Sequence, residues 1–209
     1  MNYDYKILTP HNHMPNDHMT LFNKYEKDLK EALKEDEGRY WHSVSVALTA
    51  VSLGDIYGAN LDDCMVAGLL HDYCKCIPVD KMLEMCKEYG LELSEEDRNA
   101  DGCIHGFLAA KVCKKKFDVN DAVYNAIYYH TCGRPNMTIL EKVIYIADFI
   151  EPLRRFRDKI NDIRTLAFKD IDAAVVLSSE QNLKFLNNHN KFIHSNTIKT
   201  LEYYKSLNK

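Results

Sequence analysis

The sequence predicts an all-α fold, and two observations lead to this expectation. Apolar residues recur at three- and four-residue spacing along most of the chain from Thr20 onward, which is the period of a helix with one buried face. The alternation typical of strands is nowhere sustained, and no internal repeat is visible. A chain of 209 residues with 46% apolar and 28% charged residues fits one globular domain.

The first 19 residues differ from the rest of the chain. They contain two prolines and three histidines without apolar periodicity, so we expect an irregular N-terminal extension over 1–19 and a helical domain over 20–209. The segment "HNHMPNDH" could bind a stray metal ion, but a polar extension does not fix the geometry of ligands.

Three helices are predicted in the first third of the domain. The first spans about 20–34, with a threonine that can cap its first turn, and the second spans about 40–56, with Gly58 beyond its end. The third begins near residue 62 and carries "VAGLLHDYCK" over 66–75.

Short helices and polar turns are expected over 78–100, followed by helices over 104–117 and 120–130. Two further helices, over about 162–187 and 196–207, complete the chain.

A capping signature lies between these pairs of helices. Thr138 is followed three residues later by Glu141, which is the pattern of a capping box, so a helix should run from there towards Glu151. Pro152 should end it.

Charge and cysteine content exclude several classes of protein. The net charge of −4 gives no basic footprint for a nucleic-acid partner, and no apolar run approaches the roughly 18 residues that span a bilayer, so no membrane partner is expected. Seven cysteines without framework spacing, and no secretory leader before them, predict a reduced, cytoplasmic protein without disulfides. Cys74 and Cys76 form a single close pair, too few for a zinc site, and we do not assign them as ligands.

Histidines and aspartates accumulate at the ends of apolar helical segments, at His42, His71–Asp72, His105, His130 and Asp148. One such histidine is usually a satisfied core residue, but a buried ionised carboxylate costs several kcal/mol unless a charge or a metal compensates it. Asp148 lies in "VIYIADFI", with few local cations. A divalent cation shared by carboxylates and imidazoles would remove that cost. The alternative is that these side chains satisfy each other by hydrogen bonds.

The order His42, His71–Asp72, Asp148 resembles the H…HD…D signature of the HD-domain metal-dependent phosphohydrolases. "RYWHSVSVA", "AGLLHDYCK", "IHGFLAA" and "IHSNT" look like landmarks of the YqeK branch, whose members are symmetrical diadenosine tetraphosphate hydrolases. The longest and most specific match is "HTCGRPNMTILEKVIYIADFIEPLR", and together the segments span about 39–197.

This resemblance implies an HD-domain helical bundle and a divalent ion held by His42, His71, Asp72 and Asp148. A mixed set of nitrogen and oxygen ligands suits six-coordinate iron, which we prefer, or manganese or magnesium, better than tetrahedral structural zinc. The reaction would be hydrolysis of diadenosine tetraphosphate to two ADP by a metal-activated water. The resemblance also suggests a homodimer.

The resemblance further implies that nucleotide or phosphate contacts are made by Arg39, Lys75, His105, His130, Thr131 and Arg154. Lys75 follows Asp72 by three residues and shares its helix face if the helix continues that far. His105 and His130 could instead bind a second metal ion. We favour phosphate contact and general-acid catalysis, with His105, His130 and Lys75 as the catalytic set.

The closing "FIHSNT" looks like the segment of the family that returns to the nucleotide, which implicates His194, Asn196 and Thr197. A helix N-cap is an equally good explanation of Asn196. Two other functions remain open at this stage: a nucleotidase or phosphodiesterase that acts on other nucleotides, and a non-catalytic module that binds ADP-like ligands.

Overall fold

The computed structural model describes residues 16–154 and 159–207, and these residues form eleven α-helices and no β-strand. The all-α prediction is therefore confirmed. The helices are α1 (Asn16–Ala32), α2 (Glu37–Tyr57), α3 (Leu61–Leu70), α4 (Val79–Glu88), α5 (Glu95–Asn99), α6 (Asp101–Phe117), α7 (Asp121–Tyr129), α8 (Ile139–Ile150), α9 (Ile160–Ala167), α10 (Ile171–Asn188) and α11 (Ser195–Leu207).

The centre of the bundle is built from α2, α3 and α8, which pack on one another while α1 and α7 cover α3. The closest approach lies between α2 and α3, at Gly68. A Cβ atom at this position would lie 2.5 Å from the Cα of Ala47, so only glycine lets the two backbones come this near. This contact holds α3 against the middle of α2, and His42 lies on α2 five residues before Ala47.

The predicted helix ends at α2 and α8 are confirmed. Gly58 ends α2 in the left-handed region, with φ of +72°. Both halves of the Thr138–Glu141 capping box are formed at the start of α8, and Glu141 also accepts two hydrogen bonds from Arg134, at 2.8 and 2.9 Å. The helix ends immediately before Glu151.

The helix predicted over 162–187 is wrong, because two helices occupy this stretch. The break falls between α9 and α10, where the Asp170 carboxylate accepts the backbone N–H of Ala173 and caps α10. Buried residues continue on both sides of the break, at Ile163 and Ile171 for example, so the apolar spacing alone does not reveal it.

Two other boundaries also differ from prediction. The structure starts α1 at Asn16 instead of Thr20, so 16–19 are helical. Residues 1–15 lie outside the described part, and the division into an extension and a domain stays a prediction. At the other boundary α3 ends at Leu70, and 71–76 form turns, so Lys75 does not share a helix face with Asp72.

Among the described residues, no helix combines the length and the apolar character needed to cross a bilayer. All seven cysteines are free thiols, and Cys76 is the only one that is not fully buried.

Candidate metal centre and phosphate cavity

His42 lies on α2 between two carboxylates. Its Nδ1 is 3.1 Å from Oε1 of Glu151, and its Nε2 is 3.0 Å from Oδ1 of Asp148. Burial alone would lower the pKa of His42, but the hydrogen bonds to Asp148 and Glu151 raise it above its usual value. A carboxylate only accepts hydrogen bonds, so Nδ1 donates to Glu151 and Nε2 donates to Asp148; a metal ion bound at Nε2 would take the place of that second proton.

His71 is fully buried in the turn that follows α3. Its Nδ1 lies 2.7 Å from the carbonyl oxygen of Gly68, to which it donates. The lone pair is therefore on Nε2, which lies 3.3 Å from Nε2 of His42. The backbone thus fixes the tautomer that a metal ligand requires.

Asp72, the next residue, is also buried, and its two carboxylate oxygens face different groups. Oδ2 accepts from Nη1 of Arg39 at 2.9 Å and lies 3.6 Å from Nε2 of His71, whereas Oδ1 is 3.0 Å from Nε2 of His105. Burial raises the pKa of Asp72, but His71 and His105 lower it well below its usual range, so the carboxylate is ionised.

Asp148, near the end of α8, meets these groups through Oδ1, which is 3.8 Å from Nε2 of His71. The same oxygen accepts from Nη2 of Arg154 at 2.7 Å. The expectation that Asp148 has few cations to help it is therefore wrong. Arg154 returns to it because the chain turns after Pro152, with the N–H of Arg154 donating to the carbonyl of Glu151.

The four predicted ligand residues converge. Nε2 of His42 lies 3.3 Å from Nε2 of His71, 3.7 Å from Oδ2 of Asp72 and 3.0 Å from Oδ1 of Asp148. Nε2 of His71 lies 3.6 and 3.8 Å from the same two carboxylate oxygens. An octahedral cation with bonds of about 2.1 Å separates adjacent ligand atoms by about 3 Å. Each of these pairs therefore lies at a separation that one divalent cation can bridge. Within the described chain, two overlapping groups of ligands share His71: one adds His42 and Asp148, and the other adds Asp72 and His130.

His105 and His130 extend this network on the side of α6 and α7. Nδ1 of His130 donates to the carbonyl of Ile127 at 2.7 Å, so its Nε2 accepts, and Nε2 of His105 lies 3.1 Å from it. Nζ of Lys75 is 3.2 Å from Nε2 of His105. Burial lowers the pKa of His130 to about 3 and also lowers the pKa of His105 and of Lys75.

A cavity of about 250 Å³ opens beside these groups. Six of the nine residues that the resemblance assigned to nucleotide contact line it, together with both aspartates, and the six are Arg39, Lys75, His105, His130, Thr131 and Arg154. We call it the phosphate cavity, after the phosphate contacts that the resemblance implies for these residues, three of which have basic side chains. Further lining comes from α8 and α10, through Tyr145 and Phe185 among others.

A second cavity of about 450 Å³ adjoins the phosphate cavity and shares five lining residues with it, among them Lys75, His105 and Thr131. His194 and Thr197 line this second cavity, but Asn196 does not. Because α11 begins at Ser195, the N-cap explanation of Asn196 is wrong. Nδ1 of His194 accepts the N–H of Asn196 instead, and its Nε2 contacts the Asp97 carboxylate at 2.9 Å.

Glu151 is the residue that the sequence reasoning missed. It is 1% exposed, and its carboxylate accepts from the His42 ring and from the N–H of Leu153. Burial raises the pKa of Glu151, but the hydrogen bond from His42 contributes to a net lowering. A signal existed, since Glu151 follows Asp148 by three residues in an apolar segment.

The chain is similar in sequence to a known protein family and to named proteins from bacteria. Residues 39–153 match the HD domain family. Two similar proteins, from Staphylococcus aureus and Bacillus subtilis, are both named symmetrical bis(5'-nucleosyl)-tetraphosphatase. The first is 35% identical over 87% of this chain and 93% of its own length, and the second is 34% identical over 81% and 91%.

A solved structure is also similar. It is described as a predicted HD superfamily hydrolase involved in NAD metabolism, from Clostridium acetobutylicum. It shares 38% identity, with a TM-score of 0.83, over 89% of this chain and 97% of its own.

Proposed function

The chain belongs to the HD-domain family, in the branch of the symmetrical bis(5'-nucleosyl)-tetraphosphatases, and from this premise we propose that it hydrolyses diadenosine tetraphosphate to two ADP. The resemblance to the YqeK branch is thereby confirmed. The observation that carries the function is the convergence of two imidazoles and two carboxylates at the wall of a cavity with three cationic side chains.

His42, His71, Asp72 and Asp148 are the proposed metal ligands, and iron is the preferred ion, with manganese or magnesium as alternatives. The equal number of nitrogen and oxygen donors supports this choice over structural zinc. When bound, a divalent cation supplies Lewis-acid activation of water and of the phosphate.

Arg39, Lys75 and Arg154 are proposed to bind the tetraphosphate. Phosphoryl transfer depends on positioning and on stabilising charge at the phosphate oxygens, and these three side chains surround the cavity. Each guanidinium has five N–H donors, so Arg39 and Arg154 can keep their bonds to Asp72 and Asp148 while they contact phosphate.

His105 is proposed to donate a proton to the leaving phosphate. Its Nε2 faces the Asp72 carboxylate, which requires a proton on that nitrogen, whereas Nε2 of His130 carries none because Nδ1 donates to a carbonyl. Nζ of Lys75 lies 3.3 Å from Nδ1 of His105 and can donate a proton to that nitrogen, so the ring stays neutral when Nε2 gives its proton to the leaving phosphate. His130 and Thr131 are assigned to phosphate contact.

Further parts of the prediction concern the nucleoside, the compartment and assembly. His194 and Thr197 line the adjoining cavity and are proposed to contact a nucleoside that binds there. A nucleotide contact by Asn196 stays a prediction.

A cytoplasmic location is proposed because the proposed substrate is a nucleotide and all the cysteines are free thiols. The homodimer is tested by light scattering of the purified protein.

The metal assignment is tested with Asp148→Ala. This variant should retain no stoichiometric metal after purification without chelator and should lose hydrolysis of diadenosine tetraphosphate, because one ligand and its charge are gone. The matched control is Asp162→Ala, an exposed aspartate on α9, which should behave as the wild type. Wild-type turnover by Asp148→Ala would refute the assignment.

The substrate is tested by analysing products over a panel of nucleotides. Diadenosine tetraphosphate should yield ADP alone, in a ratio of two per substrate. If the products were ATP and AMP, or if a mononucleotide were hydrolysed faster, the proposed activity would be refuted and the protein would be a different phosphohydrolase.

A further inference from the structure

A groove separate from the two cavities also borders the candidate metal centre. It has a volume of about 250 Å³ and lies along the start of α2 and the turn that follows α8. Its lining includes Asp36, Gly38, Arg39, His42, Leu153 and Arg154. We call it the α2 groove.

The α2 groove and the phosphate cavity share Arg39 and Arg154 and no other lining residue. His42 faces the groove, whereas Lys75, His105 and His130 face the cavity. Both guanidinium groups therefore belong to the wall of two adjoining spaces, and each space is lined by at least one candidate metal ligand. Their side chains are 32% and 25% exposed, so N–H groups remain available for an anion.

Symmetric cleavage of a dinucleoside tetraphosphate demands space on two sides. The oxygen of water bonds to one central phosphorus, the bond from that phosphorus to the central bridging oxygen breaks, and the bridging oxygen leaves with the other ADP. The protons of water pass to the products and the solvent. An ADP group therefore extends in each direction from the reacting bond, and the phosphate cavity with its neighbour accounts for one of them.

On the basis of the proposed function, we infer that the α2 groove holds the nucleoside of the second ADP group. Arg39 and Arg154 would contact the phosphates where the substrate passes from the cavity into the groove. Both arginines already lie against the candidate ligands, at 2.9 Å from Asp72 and 2.7 Å from Asp148, so phosphates at this wall lie next to the metal centre.

The chemistry of the groove matches a nucleoside. Most of the lining residues are ionisable, and Leu153, which is partly buried, supplies the apolar surface on which a base can pack. Asp36 is exposed, and its carboxylate is held by the N–H of Arg39 at 3.2 Å. Carboxylates accept hydrogen bonds from ribose hydroxyls in other nucleotide sites. Asp36 can therefore accept from the ribose hydroxyls, while Arg39 and Arg154 contact the phosphates of the same nucleotide.

The inference is tested by binding of ADP and of an analogue of diadenosine tetraphosphate with a methylene group in place of the central bridging oxygen. Both are titrated calorimetrically into the metal-loaded protein, and the analogue should bind the wild type more tightly than ADP does. Gly38→Leu and Leu153→Trp add bulk at two lining residues of the groove. Each should weaken the analogue about tenfold more than ADP, the size of a lost apolar pocket contact. Because a Cβ atom at Gly38 would lie 3.1 Å from Oδ1 of Asp36, which caps α2, thermal unfolding is used to verify that Gly38→Leu folds as the wild type does.

Two further variants sharpen the result. Asp36→Asn keeps the cap of α2, because asparagine is also a good N-cap, but it removes the charge. It should weaken the analogue more than ADP, and by less than the two filling variants do. Asp55→Leu adds the same leucine to an exposed position at the other end of α2, and its ratio of affinities should equal that of the wild type.

Equal losses for both ligands in the filling variants, no loss in either variant, or a wild type that binds the analogue no more tightly than ADP would overturn the inference. Failure of the proposed function looks different, since the wild-type protein would then release no pair of ADP molecules from diadenosine tetraphosphate. Production of two ADP without selective loss in the variants refutes only the groove.

Discussion

At the scale of single residues, the tautomers of His42 and His71 are fixed by acceptors behind them. Glu151 takes the Nδ1 proton of His42, and a backbone carbonyl takes that of His71. The carbonyl of Gly68 belongs to the backbone and cannot be removed by mutation, whereas the Glu151 side chain can be replaced. Outer partners of this kind commonly change metal affinity by 10- to 100-fold, so Glu151 is a positioning residue with a measurable effect.

Glu151→Ala should therefore weaken metal binding by about 10- to 100-fold, because nothing then orients the His42 ring. Glu151→Gln keeps an acceptor oxygen and should recover part of the affinity. Competition against a calibrated chelator measures both constants, with Glu202→Ala, an exposed glutamate on α11, as the control. Equal metal affinity in the wild type and in Glu151→Ala would show that Glu151 only fills space.

At the scale of elements, the capping box of α8 holds the helix that carries Asp148. The Thr138 hydroxyl accepts the N–H of Glu141, and the Glu141 carboxylate accepts the N–H of Thr138. Thr138→Ala should lower the free energy of unfolding by about 1 kcal/mol, and Thr138→Ser should lower it less. Urea denaturation measures the difference, and an alanine variant as stable as the wild type would contradict it.

A second prediction at this scale concerns Asp97 in α5. Its carboxylate forms a capping box with Ser94 and also accepts a hydrogen bond from His194. Burial raises the pKa of Asp97, but hydrogen bonds from His194 and Ser94 lower it below its usual value. The folded pKa is the depressed one, so this stabilisation is present above about pH 4 and decreases as the pH falls further.

Asp97→Asn should therefore be less stable than the wild type at pH 7, and the difference should shrink below pH 4. Thermal unfolding measured across this range tests the sign. A difference that grows on acidification would mean that the Asp97 carboxylate opposes folding.

At the scale of the whole molecule, the sequence predicts most helices because apolar spacing and caps are local properties. Gly58 and Thr138 mark helix ends by their own chemistry, whereas the break at Asp170 is hidden by apolar residues that continue on both sides. The contact of Arg154 with Asp148 depends on the path of the chain after Pro152, which spacing does not describe. The cavities depend on how α8 and α10 pack, and no local pattern contains that information.

The candidate metal centre also joins α2, the turn after α3, and α8, which are distant in the sequence. An ion that binds only the folded chain stabilises it by about 2.7 kcal/mol at 100 times its dissociation constant, and for a chain of this size each kcal/mol raises the melting temperature by about 2 to 4 °C. Chelator should therefore lower the Tm of the metal-loaded wild type by about 5 to 10 °C. Asp148→Ala should show no such shift. Equal shifts in the two proteins, with metal loss verified by elemental analysis, would place the stabilising ion elsewhere in the molecule.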